Sequence, residues 1–179
     1  MSPVILKTLL RVMRNKPFVI AAVLLLMLWG CRQQVAYHQF RHIYEPGWDK
    51  TDTLYFDISP LSDGSYRLDA ELRSDKDYPF QKLMMEVEQT VYPSMRRYHD
   101  VIDCELISET GLIKGDGISY FQYQFLVRNL SLREGDSIHI CLTHKMKREI
   151  MPGVTDVGVR LSRTDQVSAS VDTEEDKQE

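Results

Sequence analysis

Hydrophobic and polar positions alternate along most of the chain between residues 53 and 163, in seven separate segments. The strictest is SYRLDAELR (65–73), which sets Tyr66, Leu68, Ala70 and Leu72 on one side and Arg67, Asp69, Glu71 and Arg73 on the other. A period of two predicts a strand with one buried face, because successive side chains of a strand point to opposite sides of its sheet. TLYFDI (53–58) aligns Leu54, Phe56 and Ile58 in the same way. KLMMEVEQTV (82–91) sets Leu83, Met85 and Val87 against Met84, Glu86 and Glu88. DVIDCELI (100–107) brings Ile102, Cys104 and Leu106 into phase, and ISYFQYQFLVR (118–128) does so for Phe121, Tyr123, Phe125 and Val127. SIHICLTHKM (137–146) turns Ile138, Ile140 and Leu142 inward and His139, Cys141 and Thr143 outward. TDVGVRLSR (155–163) closes the series with Val157, Val159 and Leu161.

Turn signals separate these segments: PLSDG, the glycine-rich GLIKGDG (111–117) and REGD (133–136). No helical period follows residue 30. The expectation is therefore an all-β fold, a single antiparallel β-sandwich of about seven or more strands, jelly-roll or Ig-like, over residues 51–163. Gly158, inside the last strand, predicts a bulge or a close backbone approach. Residues 31–50 lack a clean period and end in Pro–Gly, which reads as a tether that gains order toward the domain. Residues 164–179 are polar, acidic and free of aromatics, the composition of a disordered tail.

The one long apolar run lies elsewhere, from Phe18 to Trp29. Twelve residues fall short of the roughly 20 that span a bilayer and suit a signal-peptide core. Lys7, Arg11, Arg14 and Lys16 precede it, and no acidic residue occurs before Glu45. Gly30 followed by Cys31 resembles the lipobox of bacterial lipoproteins, although Trp29 is larger than the residue usual there. Residues 1–30 are thus expected to be a lipoprotein signal peptide and Cys31 the site of lipid attachment, with an uncleaved anchor as the competing reading. Without the leader's four basic residues, 18 basic face 26 acidic residues, a net charge of −8. That balance speaks against nucleic acid, whose phosphates call for clustered basic side chains, and against electrostatic adhesion to anionic lipid.

Candidate chemistry is sparse. His38 and His42 are four apart but fall in the expected tether, and His139 and His144 are five apart, so they project to opposite faces of one strand. No Cys-x-x-Cys, His-Glu-x-x-His or calcium-loop spacing occurs, no nucleophile elbow, and no glycine loop opening a helix, so neither a metal nor any other cofactor is expected. Glu86 and Glu88 share a polar face that reads as solvated. Cys104 and Cys141 are expected unpaired. Tyr44, Trp48, Tyr78, Tyr92 and Tyr98 could together line a sugar-binding face, which makes a glycan-binding module the rival to a protein-binding one.

Several segments, in order, resemble one family. GWDKTDTLYFDI (47–58) is similar to its Trp-led entry into a Thr-Leu-x-Phe strand, and LRSDKDYPFQKL (72–83) to its Leu-Arg and Asp-Tyr-Pro pattern. GLIKGDG matches its Gly-x-x-x-Gly turn, and HKMKREIMPGVTDVGVRL (144–161) its Pro-Gly and Asp-Val-Gly signature. The resemblance is to GldH, the gliding-motility-associated lipoproteins of Bacteroidota. It implies a non-catalytic outer-membrane lipoprotein of the gliding and type IX secretion envelope machinery, held by acyl chains on Cys31 and acting through protein partners. No acidic run follows Cys31, so a periplasm-facing orientation is expected.

Overall fold

The structure is a computed structural model that describes residues 34–164; the expected signal peptide, Cys31 and nearly all of the acidic tail lie outside the described residues. Every regular element within them is a strand. In chain order these are β1 (Val35–His42), β2 (Trp48–Asp49), β3 (Leu54–Ile58), β4 (Gly64–Asp75), β5 (Lys82–Tyr92), β6 (Arg96–Glu105), β7 (Asp116–Gly117), β8 (Tyr120–Leu132), β9 (Ser137–His144), β10 (Ile150–Met151) and β11 (Val154–Arg163).

They form a five-stranded sheet, β1-β11-β4-β8-β7, a four-stranded sheet, β3-β9-β5-β6, and a two-residue ribbon, β10-β2. The pairings are antiparallel. Among the long strands the first pairs with the last (β1–β11), the second with the seventh (β3–β9), the third with the sixth (β4–β8) and the fourth with the fifth (β5–β6). This is one long hairpin rolled up on itself, which makes the sandwich a jelly roll rather than an Ig-like fold.

The inward faces are the ones the alternation marks. Phe56, Tyr66, Leu68, Leu72, Leu83, Met85, Ile138, Ile140, Leu142, Val157 and Leu161 are all buried between the sheets. Trp48, with no exposure, seals one end of the core: its Nε1–H donates to the Asp52 carbonyl at 3.1 Å. The His144 ring meets it edge-on at 5.3 Å, and His144 Nε2–H donates to the Trp48 and Glu149 carbonyls. Met151 pairs with Trp48 in the ribbon, while a Cβ on Gly47 would lie 2.3 Å from the Met151 carbonyl oxygen. GWDK and IMPG, two segments of the family resemblance almost a hundred residues apart in sequence, therefore meet as one structural plug.

Four expectations change. The tether of 31–50 gives way over Val35–His42 to the edge strand β1, paired with β11 from His42↔Asp156 to Val35↔Ser162. Its inward residues, Tyr37, Gln39 and Arg41, are long and amphipathic rather than aliphatic, as suits a sheet margin where stems cover the core and heads reach water. Arg41 extends over the Phe56 ring and donates to the Tyr55 carbonyl. Second, β4 does not have one solvated side, because Asp69 and Glu71 on its outward face are fully buried. Third, β8 changes phase at a bulge opposite Leu68/Asp69, so that Arg128, Leu130 and Leu132 follow Tyr123 and Phe125 on the inward side. Arg128 uses that position to reach across to β6, with two 2.7 Å bonds to Asp100 and its guanidinium 4.3 Å over the Tyr98 ring. Fourth, β6 begins at Arg96, pairing four further residues with β5 in a hairpin whose charged positions hid it. Gly158 is a close approach and not a bulge: a Cβ there would lie 2.7 Å from the Phe40 ring. Cys104 and Cys141 are free thiols.

Candidate functional site

β9 lies inside the four-stranded sheet, between β3 and β5, and its odd-numbered side chains face outward. The register places Asp57 of β3 beside His139, Tyr55 beside Cys141, Glu88 of β5 on the other side of Cys141, and His99 of β6 beyond Glu88. Residues from four distant segments thereby share one patch.

Within it, the His139 Nδ1–H donates to Asp57 Oδ1 at 2.6 Å, so that in the neutral ring Nε2 carries the lone pair and faces Cys141 Sγ at 3.4 Å. The Tyr55 ring stacks on the His139 imidazole at 5.7 Å and 24° and holds its plane. Glu86 is already engaged: it accepts from Lys145 at 2.5 Å, from His99 Nε2 at 2.7 Å and from Thr143 at 3.2 Å. Lys145, foremost among these partners, holds its carboxyl below the usual range despite partial desolvation. Glu88 is exposed and receives no hydrogen bond from the described residues; its carboxylate, that of Glu86 and His99 present one ligand atom each within 4.8 Å of one another. A hollow of about 240 Å³ lies beside Glu88, Thr90, Arg97 and His99, and another of about 280 Å³ beside Asp57 and His139.

The line Cys141–His139–Asp57 has the order of a nucleophile, its base and the group that orients the base. Its surroundings oppose that use. Burial, then the Glu88 and Asp57 carboxylates, push the thiol above its ordinary range, away from the thiolate that would react. Cys141 also lies on a strand paired on both sides, so nearby backbone N–H groups are committed to the ladders and cannot stabilise an oxyanion.

The sequence placed Glu86 and Glu88 on a solvated outward face; the structure puts both on the outward face, but only Glu88 is exposed, while Glu86 is largely covered by its partners. The sequence missed His99 and Asp57 as their neighbours. Outward phase was readable for each strand, but which strands lie side by side was not. His38 and His42 sit on β1, where His38 Nε2 reaches the buried Glu71 at 2.6 Å and His42 Nδ1 reaches Asp156 at 3.2 Å. His144 is on the inward side, where burial pushes its pKa down. The five candidate aromatics do not converge. Trp48 and Tyr78 are buried, Tyr98 lies under Arg128, and exposed Tyr44 and Tyr92 stand at opposite ends of the sandwich, near Asp156 and Ser137 respectively.

Among solved structures the chain is similar to a family GH115 4-O-methyl-alpha-glucuronidase, at 15% identity and TM-score 0.43, covering 75% of this chain and 18% of that one. It is also similar to a family 35 carbohydrate-binding module from Clostridium thermocellum, at 13% identity and TM-score 0.34, covering 72% and 95% respectively. The Eiger TNF of S. frugiperda aligns at 11% identity and TM-score 0.28, covering 83% and 99%. Likeness at this level carries no argument about fold or activity. No curated protein matches. The sequence model of the GldH lipoprotein family does match, over residues 35–161, from the first residue of β1 to Leu161 in β11. The match takes in both sheets and the Trp48 plug, and the chain belongs to the GldH lipoprotein family.

Proposed function

We propose that the protein is a non-catalytic, lipid-anchored component of the outer membrane that works by binding protein partners of the gliding and type IX secretion-associated envelope machinery. The family match across the whole sandwich carries this reading. The packing agrees with it, since Trp48, Gly47, Met151 and Gly153 of the signature segments serve the fold. A Cβ on Gly153 would lie 2.5 Å from the Tyr78 amide nitrogen, for example, and its φ is +77°.

Cys31 stands four residues before β1. Acyl chains there would hold the first strand within roughly 14 Å of the bilayer at full chain extension. Two acyl chains suffice for stable attachment without help from the acidic surface.

Chemical cross-linking followed by purification from detergent-solubilised outer membranes tests the partner role. Reproducible recovery of envelope proteins is expected; recovery of this protein alone would contradict it. Mass spectrometry of the mature N-terminus should find a lipidated Cys31, and an intact Met1 peptide is the adverse result. Protease added to intact cells should leave the domain whole if it faces the periplasm.

A further inference from the structure

We propose that the outward face of the four-stranded sheet binds one soft divalent transition-metal ion, zinc or a close analogue, between Cys141 Sγ, His139 Nε2 and a Glu88 carboxylate oxygen. The inference is independent of the partner-binding role.

The first reason is spacing. Cys141 Sγ and His139 Nε2 are 3.4 Å apart. A tetrahedral ion with a sulfur bond of about 2.3 Å and a nitrogen bond of about 2.0–2.1 Å sets those atoms roughly 3.6 Å apart. The pair therefore needs only a small adjustment of side chains that are both partly solvent-accessible.

The second is orientation. Metal-bound histidines commonly donate their other ring N–H to a carboxylate, which fixes the tautomer and aims the free nitrogen. Asp57 does this to His139 at 2.6 Å, and Tyr55 stacks on the ring. His139 is thus presented as a ligand by two residues of β3 that have no other evident task on this face.

Charge is the third. Glu88 and Asp57 stand on the strands either side of the thiol and imidazole, Lys145 is bound to Glu86, and the exposed Arg97 lies one strand further out, beyond Thr90. Such a field disfavours an isolated thiolate and favours a bound cation. Glu88, the register neighbour of Cys141, has its carboxylate beside Glu86 and His99 and accepts no hydrogen bond from the described residues, so a rotation of its side chain is what brings it to the ion.

A set of one sulfur, one nitrogen and one oxygen donor suits zinc and its neighbours rather than calcium or magnesium, which take oxygen alone. On binding, Cys141 loses its proton to solvent, and the thiolate and the Glu88 carboxylate together balance the charge of the ion. The fourth coordination position faces solvent.

The test uses the full lipidated chain in detergent, stripped with a chelator and titrated with Zn2+ against a chelating dye, and with Co2+ read by its thiolate-to-metal charge-transfer absorption. One ion per chain and a charge-transfer band are expected. Cys141→Ser should abolish the band and weaken zinc binding at least 100-fold, and His139→Gln should do the same to affinity. Asp57→Asn should weaken binding by about 10–100-fold, the range for loss of a group that orients a ligand. Met84→Ala, on the same face but outside the site, should change nothing. Circular dichroism of each variant separates loss of the site from loss of the fold. Absence of stoichiometric zinc at micromolar concentration overturns the proposal. So does undiminished binding in folded Cys141→Ser, or binding that depends on His99 and not on Cys141.

Discussion

The two sheets turn outward faces built from similar strands and put them to opposite uses. β4 points Arg67, Asp69, Glu71 and Arg73 outward, and β5 points Met84, Glu86 and Glu88 outward; each is an inner strand of its sheet. On β4 the carboxylates of Asp69 and Glu71 have no exposure. Arg67 Nε donates to both Asp69 oxygens at 2.8 and 3.0 Å, Gln124 adds a third bond, and His38 meets Glu71. Arg73 lies 3.9 Å over the Phe40 ring, which itself covers Gly158. On β5 Glu86 is also covered in large part, by Lys145, His99 and Thr143, but no long side chain reaches over Glu88 from Cys141 or His99, and it stays open. The reach of the neighbouring side chains decides whether an acidic outward position becomes part of the structure or remains available to a ligand.

The contrast can be broken most sharply at Asp69. Asp69→Ala removes a fully buried acceptor of three hydrogen bonds, while the Arg67 and Gln124 donors it leaves can turn to water, and should cost about 1–2 kcal/mol in urea unfolding. A loss below about 0.5 kcal/mol would mean that the two faces do not differ.

A second test concerns histidines. His144 is buried with its pKa lowered by desolvation, whereas His38 and His99 sit with carboxylates on the outward faces. The folded state resists protonating His144, so the stability it contributes is complete above the free-histidine pKa of about 6.5 and falls as pH drops below that value. The loss continues until the folded-state pKa is passed, with a slope of at most about 1.4 kcal/mol per pH unit for this group. His144→Gln should remove that part of the acid dependence in thermal melts between pH 7 and 5, and an unchanged slope would refute the assignment.

Arg128 and Asp100 bridge the two sheets at a partly exposed edge, where Asp100 is held below the carboxylate range chiefly by Arg128. Arg128→Met keeps the stem and removes the charge; a loss of about 1 kcal/mol is expected, because the pair is bidentate but reached by water. Smallest of all, Glu88→Ala should shift stability by no more than about 0.5 kcal/mol. Paired with Asp69→Ala in the same denaturant series, it measures the difference between the faces directly.

Much of this architecture was legible from residues. Alternation located β3, β4, β5, β9 and β11 to within a few residues at each end, since a buried face imposes a period of two on any strand that carries it. β1 escaped because its inward residues are Tyr37, Gln39 and Arg41, whose stems cover the rim of the core without an aliphatic signature. The second half of β8 escaped because a bulge moved the inward phase from Phe125 to Arg128. The outward patch was half visible: Glu86 and Glu88 shared a face, as did His139 and Cys141, but nothing local joined them to Asp57 or His99.

The sequence by itself determined the all-β class, the inward residues of most strands, and the ordered segments that mark the family. Those follow from local periodicity and from residue identity. Only the tertiary structure decided that the strands roll into a jelly roll, that GWDK closes on IMPG, that Asp69 and Glu71 are buried, and that Asp57, His139, Cys141 and Glu88 become neighbours. Each of these depends on which strands lie side by side, and strand order is set by packing between distant segments, which a period of two does not encode.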